Sequence, residues 1–321
     1  MHKLSGPEPV RLGISACLVG QEVRFDGGHK RDDFLTRILG PHVEWVPVCP
    51  EVEMGLGTPR ETLRLVREAG GIRMITTRTG IDHTDAMNRW SAGRLEELAR
   101  EDLSGYVLKK DSPSCGMERV KTYGGTAMPA RDGRGLFASA LLERLPLLPV
   151  EEEGRLTDAS LRENFIERVF AYRRLKALFQ PRWTAGALVR FHTAHKMGLL
   201  AHSTTAYNEL GRLVAGAGTA DRGALRREYE ALFMRTMAIP ATRARHTNVL
   251  HHMAGHLTTL IDAASRAELA TCIDEYHRGF VPLIVPVTLI RHHVRRFPVE
   301  YLDGQIYLDP HPRELMLRNH V

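Results

Sequence analysis

Three cysteines stand in short turns built from small residues and proline: Cys17 in SACLVG, Cys49 in VCPEVEMGLGTPRE and Cys115 in DSPSCG. Thiolates are soft donors, and three of them at one place suit a soft metal or an iron–sulfur cluster. No Cys-x-x-Cys pair is present, which argues against a zinc ribbon or a thioredoxin-type site. Separations of 32 and 66 residues do not by themselves distinguish ligands from three unrelated buried cysteines. The neighbours add chemistry. Glu51 follows Cys49 by two positions, beyond a stiffening proline, and Ser112 precedes Cys115 by three in Ser-Pro-Ser-Cys. A carboxylate and a hydroxyl beside a soft metal supply a base and a proton carrier. The same residue types also cap helices and make turns. Asp111 is a weaker candidate, and RFDGGHKRD either closes over such a site or is a plain surface turn.

The elements that would position these residues alternate between strand and helix. Strands are expected over 10–20, 43–51, 71–80 and 105–116, with a last short one over 146–150. Helices are expected over 81–102, with Asp82 or Thr84 as cap and Met87, Trp90, Leu95 and Leu98 on one face, and over 135–145. This rhythm predicts an α/β fold with a Rossmann-like parallel sheet and helices on both faces. Each of the three cysteines falls at or just past the carboxyl end of an expected strand. That edge is where open α/β sheets bind ligands.

A chain of 321 residues suggests two domains, here 1–152 and 153–321. No apolar run reaches the roughly 18 residues of a membrane span, and the first residues lack the apolar core of a signal peptide. The expected compartment is the cytoplasm, where thiols stay reduced and cysteines serve as ligands, nucleophiles or core residues rather than bridges. Cys272, in ELATCIDEYHRGF, reads as a small core residue.

The second domain reads as all helix: 161–179, 185–202, 204–215, 221–237, 246–262, 266–278 and 282–297, the last either straight or kinked near Pro286. Its charge is uneven, with 15 basic and 6 acidic side chains over 161–250. Such a segment attracts phosphate or forms a solvated helical surface. The candidate RNA contacts are Arg162, Arg173, Arg174, Lys176 and Arg182. Twelve of the 16 histidines lie beyond residue 150, so this domain is expected to gain charge in mild acid. His252 and His256 share a helix face; polar core contacts, RNA contacts and a metal are the alternatives.

Taken together, SACLVG, VPVCPE with GLGTPRE behind it, and KKDSPSCG resemble the thiouracil desulfidase family (TudS) over roughly residues 10–150. FHTAHKMGLLAHS, YNELGRLVA, RHTNVLHHMAGHL, PLIVPVTLIRHHV and YLDGQIYLDPHP are similar to a helical domain fused behind it in the tRNA 4-thiouridine desulfidases (RudS). The resemblance implies a 4Fe–4S cluster held by Cys17, Cys49 and Cys115 with one iron open, and catalytic roles for Glu51 and Ser112. It implies hydrolytic, non-redox desulfuration of a thiolated uracil base, nucleoside or tRNA, with tRNA held by the helical domain. The competing reading is a nucleic-acid-binding protein whose cysteines hold a structural cluster or metal without catalysis. A sulfur-inserting enzyme would need an activated base, often through ATP, and no Gly-x-x-x-x-Gly-Lys loop is present.

Overall fold

The computed structural model describes residues 9–124 and 128–320, so the reading of the first eight residues lies outside it. The chain divides into two compact units, one through Thr157 and one from Asp158 onward.

The first unit is built on strands β1 (Val10–Ser15), β2 (Val43–Val48), β5 (Gly105–Leu108) and β8 (Val150–Glu152), all parallel, in the spatial order β2-β1-β5-β8. The two central strands are buried almost throughout, while β2 at the edge alternates. A strand covered on both faces reads as a continuous apolar run, which is why VRLGIS and GYVL stand out in the sequence. Helices α1 (Thr84–Leu98) and α2 (Leu136–Arg144) pack against each other. Phe137 of α2 lies 5.6 Å from the Trp90 ring and 5.9 Å from the Tyr106 ring of β5. Gly13 makes room for Tyr106: a Cβ there would sit 2.1 Å from the ring.

A second sheet was not anticipated, and the strand expected over 71–80 belongs to it, paired antiparallel, rather than to the parallel sheet. This second sheet joins β3 (Leu63–Glu68), β4 (Gly71–Thr76), β6 (Val120–Tyr123) and β7 (Ala130–Gly133) in the order β4-β3-β6-β7. Strand β3 pairs antiparallel with β4 and parallel with β6, and β6 pairs antiparallel with β7.

The second unit is helical: α3 (Ala159–Leu178), α4 (Ala185–His202), α5 (Thr204–Ala215), α6 (Arg222–Met237), α7 (Arg243–Gly255), α8 (Ala263–Arg278) and α9 (Ile284–Arg296), followed by an irregular tail. The side chains of Asp158, Thr184, Ser203, Asp221, Thr242 and Asp262 accept a backbone N–H at the starts of α3 to α8. Each such cap contributes about 1 kcal/mol. Pro286 bends nothing, because α9 begins at Ile284 and the proline falls in the first turn, where its missing N–H is not needed. Among the described residues, no helix is long and apolar enough to cross a membrane.

Candidate active site

The carboxyl ends of β2, β1 and β5 lie side by side, and the chain turns sharply after each. A short 3-10 turn follows β1 and carries Cys17; a π-helical turn begins just beyond Cys49, at Val52. Glu53 locks this second turn: its carboxylate accepts the Cys49 N–H at 2.9 Å, and its own N–H donates to the Cys49 carbonyl at 2.9 Å. The loop after β5 is clamped to the start of α2, where Leu136 N–H donates to Pro113 O and Ala138 N–H to Ser114 O, each at 3.1 Å. This approach requires Gly135, since a Cβ there would lie 2.4 Å from the Ser114 carbonyl oxygen.

The result is a cavity of about 360 Å³ whose walls include Cys17, Cys49, Cys115, Glu51 and Ser112. All three cysteines are free thiols. Burial pushes the Cys17 thiol up to about 11, and burial raises Cys49 and Cys115 as well. Neutral thiols are what such a site holds without a counter-charge; a cation that takes them as thiolates must displace their protons. Among the described residues no three His, Cys, Asp or Glu side chains are grouped to hold a single metal ion. One tetrahedral ion would need sulfurs about 4 Å apart, given metal–sulfur bonds near 2.3 Å. Three thiols on the walls of one cavity are a soft donor set, of the kind that suits an iron–sulfur cluster.

Beside the thiols runs a chain of polar groups that the sequence did not reveal in full. Arg60 donates from both Nε and Nη2 to Glu51 Oε2, at 2.9 and 2.7 Å, and both side chains are nearly buried, 7% and 14% exposed. Ser114 Oγ donates to Glu51 Oε1 at 2.7 Å, and Ser112 Oγ lies 2.9 Å from Ser114 Oγ. A hydroxyl has one proton to give. With that of Ser114 committed to Glu51, Ser112 is the donor to Ser114, and the chain is directed Ser112 to Ser114 to Glu51. Ser112 Oγ is itself fixed by accepting the N–H groups of Ser114 and Cys115 at 3.2 and 3.1 Å. Arg60 lies in the GLGTPRE motif and Ser114 in SPSC, yet only their bonds to Glu51 distinguish either from an ordinary loop residue.

The other polar groups at the cavity are mostly cationic: Arg24, Lys30, Lys109 and Lys110, with Asp111 as a second acid. Lys109 is paired with Glu153. Arg24 covers the exposed Phe25 ring at 5.3 Å, so part of the RFDGGHKRD segment lines the cavity mouth.

The residues expected to meet RNA all lie in or beside α3, with different surroundings. Arg182 is exposed, and Arg162, Arg173 and Lys176 are half-buried. Arg174 turns inward, donating to His195 Nε2 at 3.1 Å and to the Pro310 carbonyl at 2.9 Å. Its guanidinium therefore braces the unit and has little left to offer a phosphate. Among the described residues His252 and His256 belong to no group of three or more metal-binding side chains; their rings are 5.2 Å apart and His256 stacks on Tyr301 at 4.2 Å. Cys272 is buried on α8.

Residues 12–153 match the model of the 2-thiouracil desulfurase family, and residues 196–312 match a family of unknown function, DUF1722. Two bacterial relatives of uncharacterised function align with the chain. YbgA of Escherichia coli K12 is 35% identical over 153 residues, 47% of this chain and 90% of that protein. YbbK of Bacillus subtilis 168 is 31% identical over 134 residues, 40% of this chain and 87% of that protein. Among solved structures, the [4Fe-4S]-dependent thiouracil desulfidase TudS is 30% identical and aligns over 49% of this chain and 99% of that one, with a TM-score of 0.40. The chain belongs to the 2-thiouracil desulfurase family, with a DUF1722 region following the desulfurase part.

Proposed function

We propose that this chain removes sulfur from a thiolated uracil by iron–sulfur-dependent hydrolysis without net electron transfer, and that its substrate is 4-thiouridine in tRNA. One observation carries the reading: three free thiols share a single cavity with the hydroxyl–carboxylate chain from Ser112 to Glu51. Cys17, Cys49 and Cys115 would hold a 4Fe–4S cluster through three irons and leave the fourth open. When bound, the cluster supplies a soft Lewis acid for a thiocarbonyl sulfur.

The protein's own groups handle water and protons. The reaction balances as C=S plus water giving C=O plus hydrogen sulfide. Glu51 Oε2 is occupied by Arg60, while Oε1 receives Ser114 and keeps one acceptor position for a water. Glu51 takes that water's proton as the oxygen attacks the ring carbon. With Glu51 protonated, the two hydroxyls reverse, the longer N–H bond to Ser112 Oγ giving up its lone pair. The proton passes through Ser114 and Ser112 to the departing sulfur, directly or by way of the ring nitrogen. The water's second proton leaves the new ring oxygen as C=O forms and completes hydrogen sulfide. Replacing Ser114 by alanine is expected to interrupt this route and lower kcat about 100-fold, with KM and iron content unchanged. Single-turnover loss of the thiocarbonyl absorbance measures it, and an unaltered rate would remove Ser114 from the route.

The basic character of the second unit supports a substrate base carried on RNA, with Arg162, Arg173, Lys176 and Arg182 the proposed contacts. The direct test is an anaerobic assay of the reconstituted full-length protein on 4-thiouridine-containing tRNA and on free thiouracil. Sulfide release with uridine formation is the expected result; no release from either substrate would refute the proposal.

A further inference from the structure

The second sheet places three cations in a row. Register pairs Leu65 of β3 with Thr122 of β6, so one residue earlier Arg64 stands opposite Lys121; Lys121 in turn stands opposite Arg131 of β7. Directly opposed residues on neighbouring strands share a face, and like charges so placed repel one another. Nothing in the sheet offsets this well. Arg131 has Asp111 at 3.6 Å, with both side chains about half exposed. Among the described residues neither Arg64 nor Lys121 has an ion-pair partner. Arg64 Nε is buried without a hydrogen bond, and its guanidinium is held over the Tyr123 ring at 5.5 Å. That buried Nε is closed to an incoming ligand, so an oxyanion would meet the outer Nη groups of a guanidinium that is held by an aromatic ring and has no ion-pair partner among the described residues.

All three cations line a groove of about 540 Å³. Thr62, Leu63, Asp111 and Pro113 border both this groove and the cavity that contains the three thiols. The groove and the thiol cavity are therefore neighbours, and a strand laid along the groove would bring the base beside it to the cavity.

We infer that the Arg64–Lys121–Arg131 row binds the phosphodiesters next to the thiolated uracil, so that the catalytic unit itself grips the RNA strand. The inference rests on the desulfidase reading above and deepens it: the preferred substrate is a nucleotide within a strand rather than a free base. Repulsion within the row, left in place by the fold, is relieved when phosphates bridge it.

The test compares the full-length reconstituted protein with its Arg64→Gln/Lys121→Gln variant. The substrates are free 4-thiouridine and a trinucleotide with 4-thiouridine at its centre, which carries two phosphodiesters. For the trinucleotide, the variant should show a KM raised about tenfold. Its plot of log kcat/KM against log salt should be shallower by about 1.4, at about 0.7 for each single-strand phosphate that the variant no longer neutralises. Turnover of the nucleoside should stay within twofold, and thermal stability should be equal or higher, because repelling charges have been removed. Unthiolated oligouridylate should inhibit nucleoside turnover by the wild type and not by the variant; an acidic peptide of equal charge inhibiting equally well would overturn the RNA assignment. A variant that handles the trinucleotide like the wild type would sink the inference and leave the desulfidase reading standing. A variant that melts earlier and loses both substrates alike would make the row structural. A wild type inactive on both substrates would remove the reading on which the inference rests.

Discussion

Replacing Glu51 by glutamine is expected to leave the iron content intact and to lower kcat on a thiolated uracil by a factor of about 10² to 10⁴. The amide keeps the shape of the carboxylate and loses its capacity to take a proton from water. Two effects must be separated. Arg60 is only 7% exposed and has Glu51 as its counter-ion, so the substitution also leaves a buried charge unpaired. Breaking one side of a buried pair costs about 3–5 kcal/mol of stability. Arg60→Gln should produce a similar loss of stability with a smaller loss of rate, since the proton acceptor is still present though less firmly aimed. The double variant should recover part of the stability and none of the rate. Chemical denaturation and single-turnover assays on the three proteins read these outcomes. A Glu51→Gln protein that turns over at the wild-type rate would exclude the carboxylate from the chemistry.

Mild acid is expected to destabilise the second unit steeply. His192, His195 and His246 are buried, and burial pulls them down to about 4, about 3 and about 3 respectively. Their rings are engaged as neutral groups: His192 Nδ1 lies 3.1 Å from Tyr229 Oη, His195 Nδ1 lies 2.8 Å from the Phe191 carbonyl, and His246 Nδ1 lies 2.9 Å from Tyr307 Oη. An unfolded histidine titrates near 6.5. Between that value and the lower folded values the unfolded chain binds more protons, so stability is full above about 6.5 and falls as pH drops. Each histidine contributes about 1.4 kcal/mol of loss per pH unit, or about 2 kcal/mol at pH 5. Glu163 works in the opposite sense. Burial against its partners lifts it to about 7, so the folded form gains protons there and recovers about as much as one histidine loses. His311 is likewise pulled down by burial, to about 4, so the net loss at pH 5 is about 6 kcal/mol, a large part of the stability of an ordinary domain. Denaturant midpoints for the second unit at pH 5 and pH 7 measure it, and equal midpoints would contradict it. The histidine-rich sequence suggested a unit that takes up charge in mild acid; for these side chains, burial makes that uptake a step of unfolding.

The parallel sheet was legible because its central strands are buried along their length and leave unbroken apolar runs. The helices of the second unit were legible in order, with α4 and α5 at their expected bounds, but the one expected over 246–262 begins at Arg243 behind its Thr242 cap and ends at Gly255. The second sheet was not. Strand β3 reads LRLVRE, with charge on half its positions, and β6 and β7 are four residues each, too short to establish an alternation. Their pairing joins positions 57 apart in sequence, as between Leu65 and Thr122, which no local pattern records. The site divides in the same way. Cysteines in small-residue turns, with a carboxylate and a hydroxyl nearby, mark themselves by chemical type. Arg60 and Ser114 acquire meaning only from the fold, which sets Ser114 against a carboxylate 63 positions away. Arg174 shows the converse: an arginine on a basic helix looks like a phosphate ligand until its guanidinium is found bound to His195 and Pro310.

In the proposed reaction Cys17, Cys49 and Cys115 act as one ligand set. Iron and acid-labile sulfide should be measured after anaerobic reconstitution in the wild type and in four alanine variants, at these three positions and at Cys272. The wild type and Cys272→Ala should carry a full 4Fe–4S complement and release sulfide from thiouracil, while each of the other three loses both. A Cys49→Ala protein that keeps its cluster and desulfurates at the normal rate would contradict the assignment.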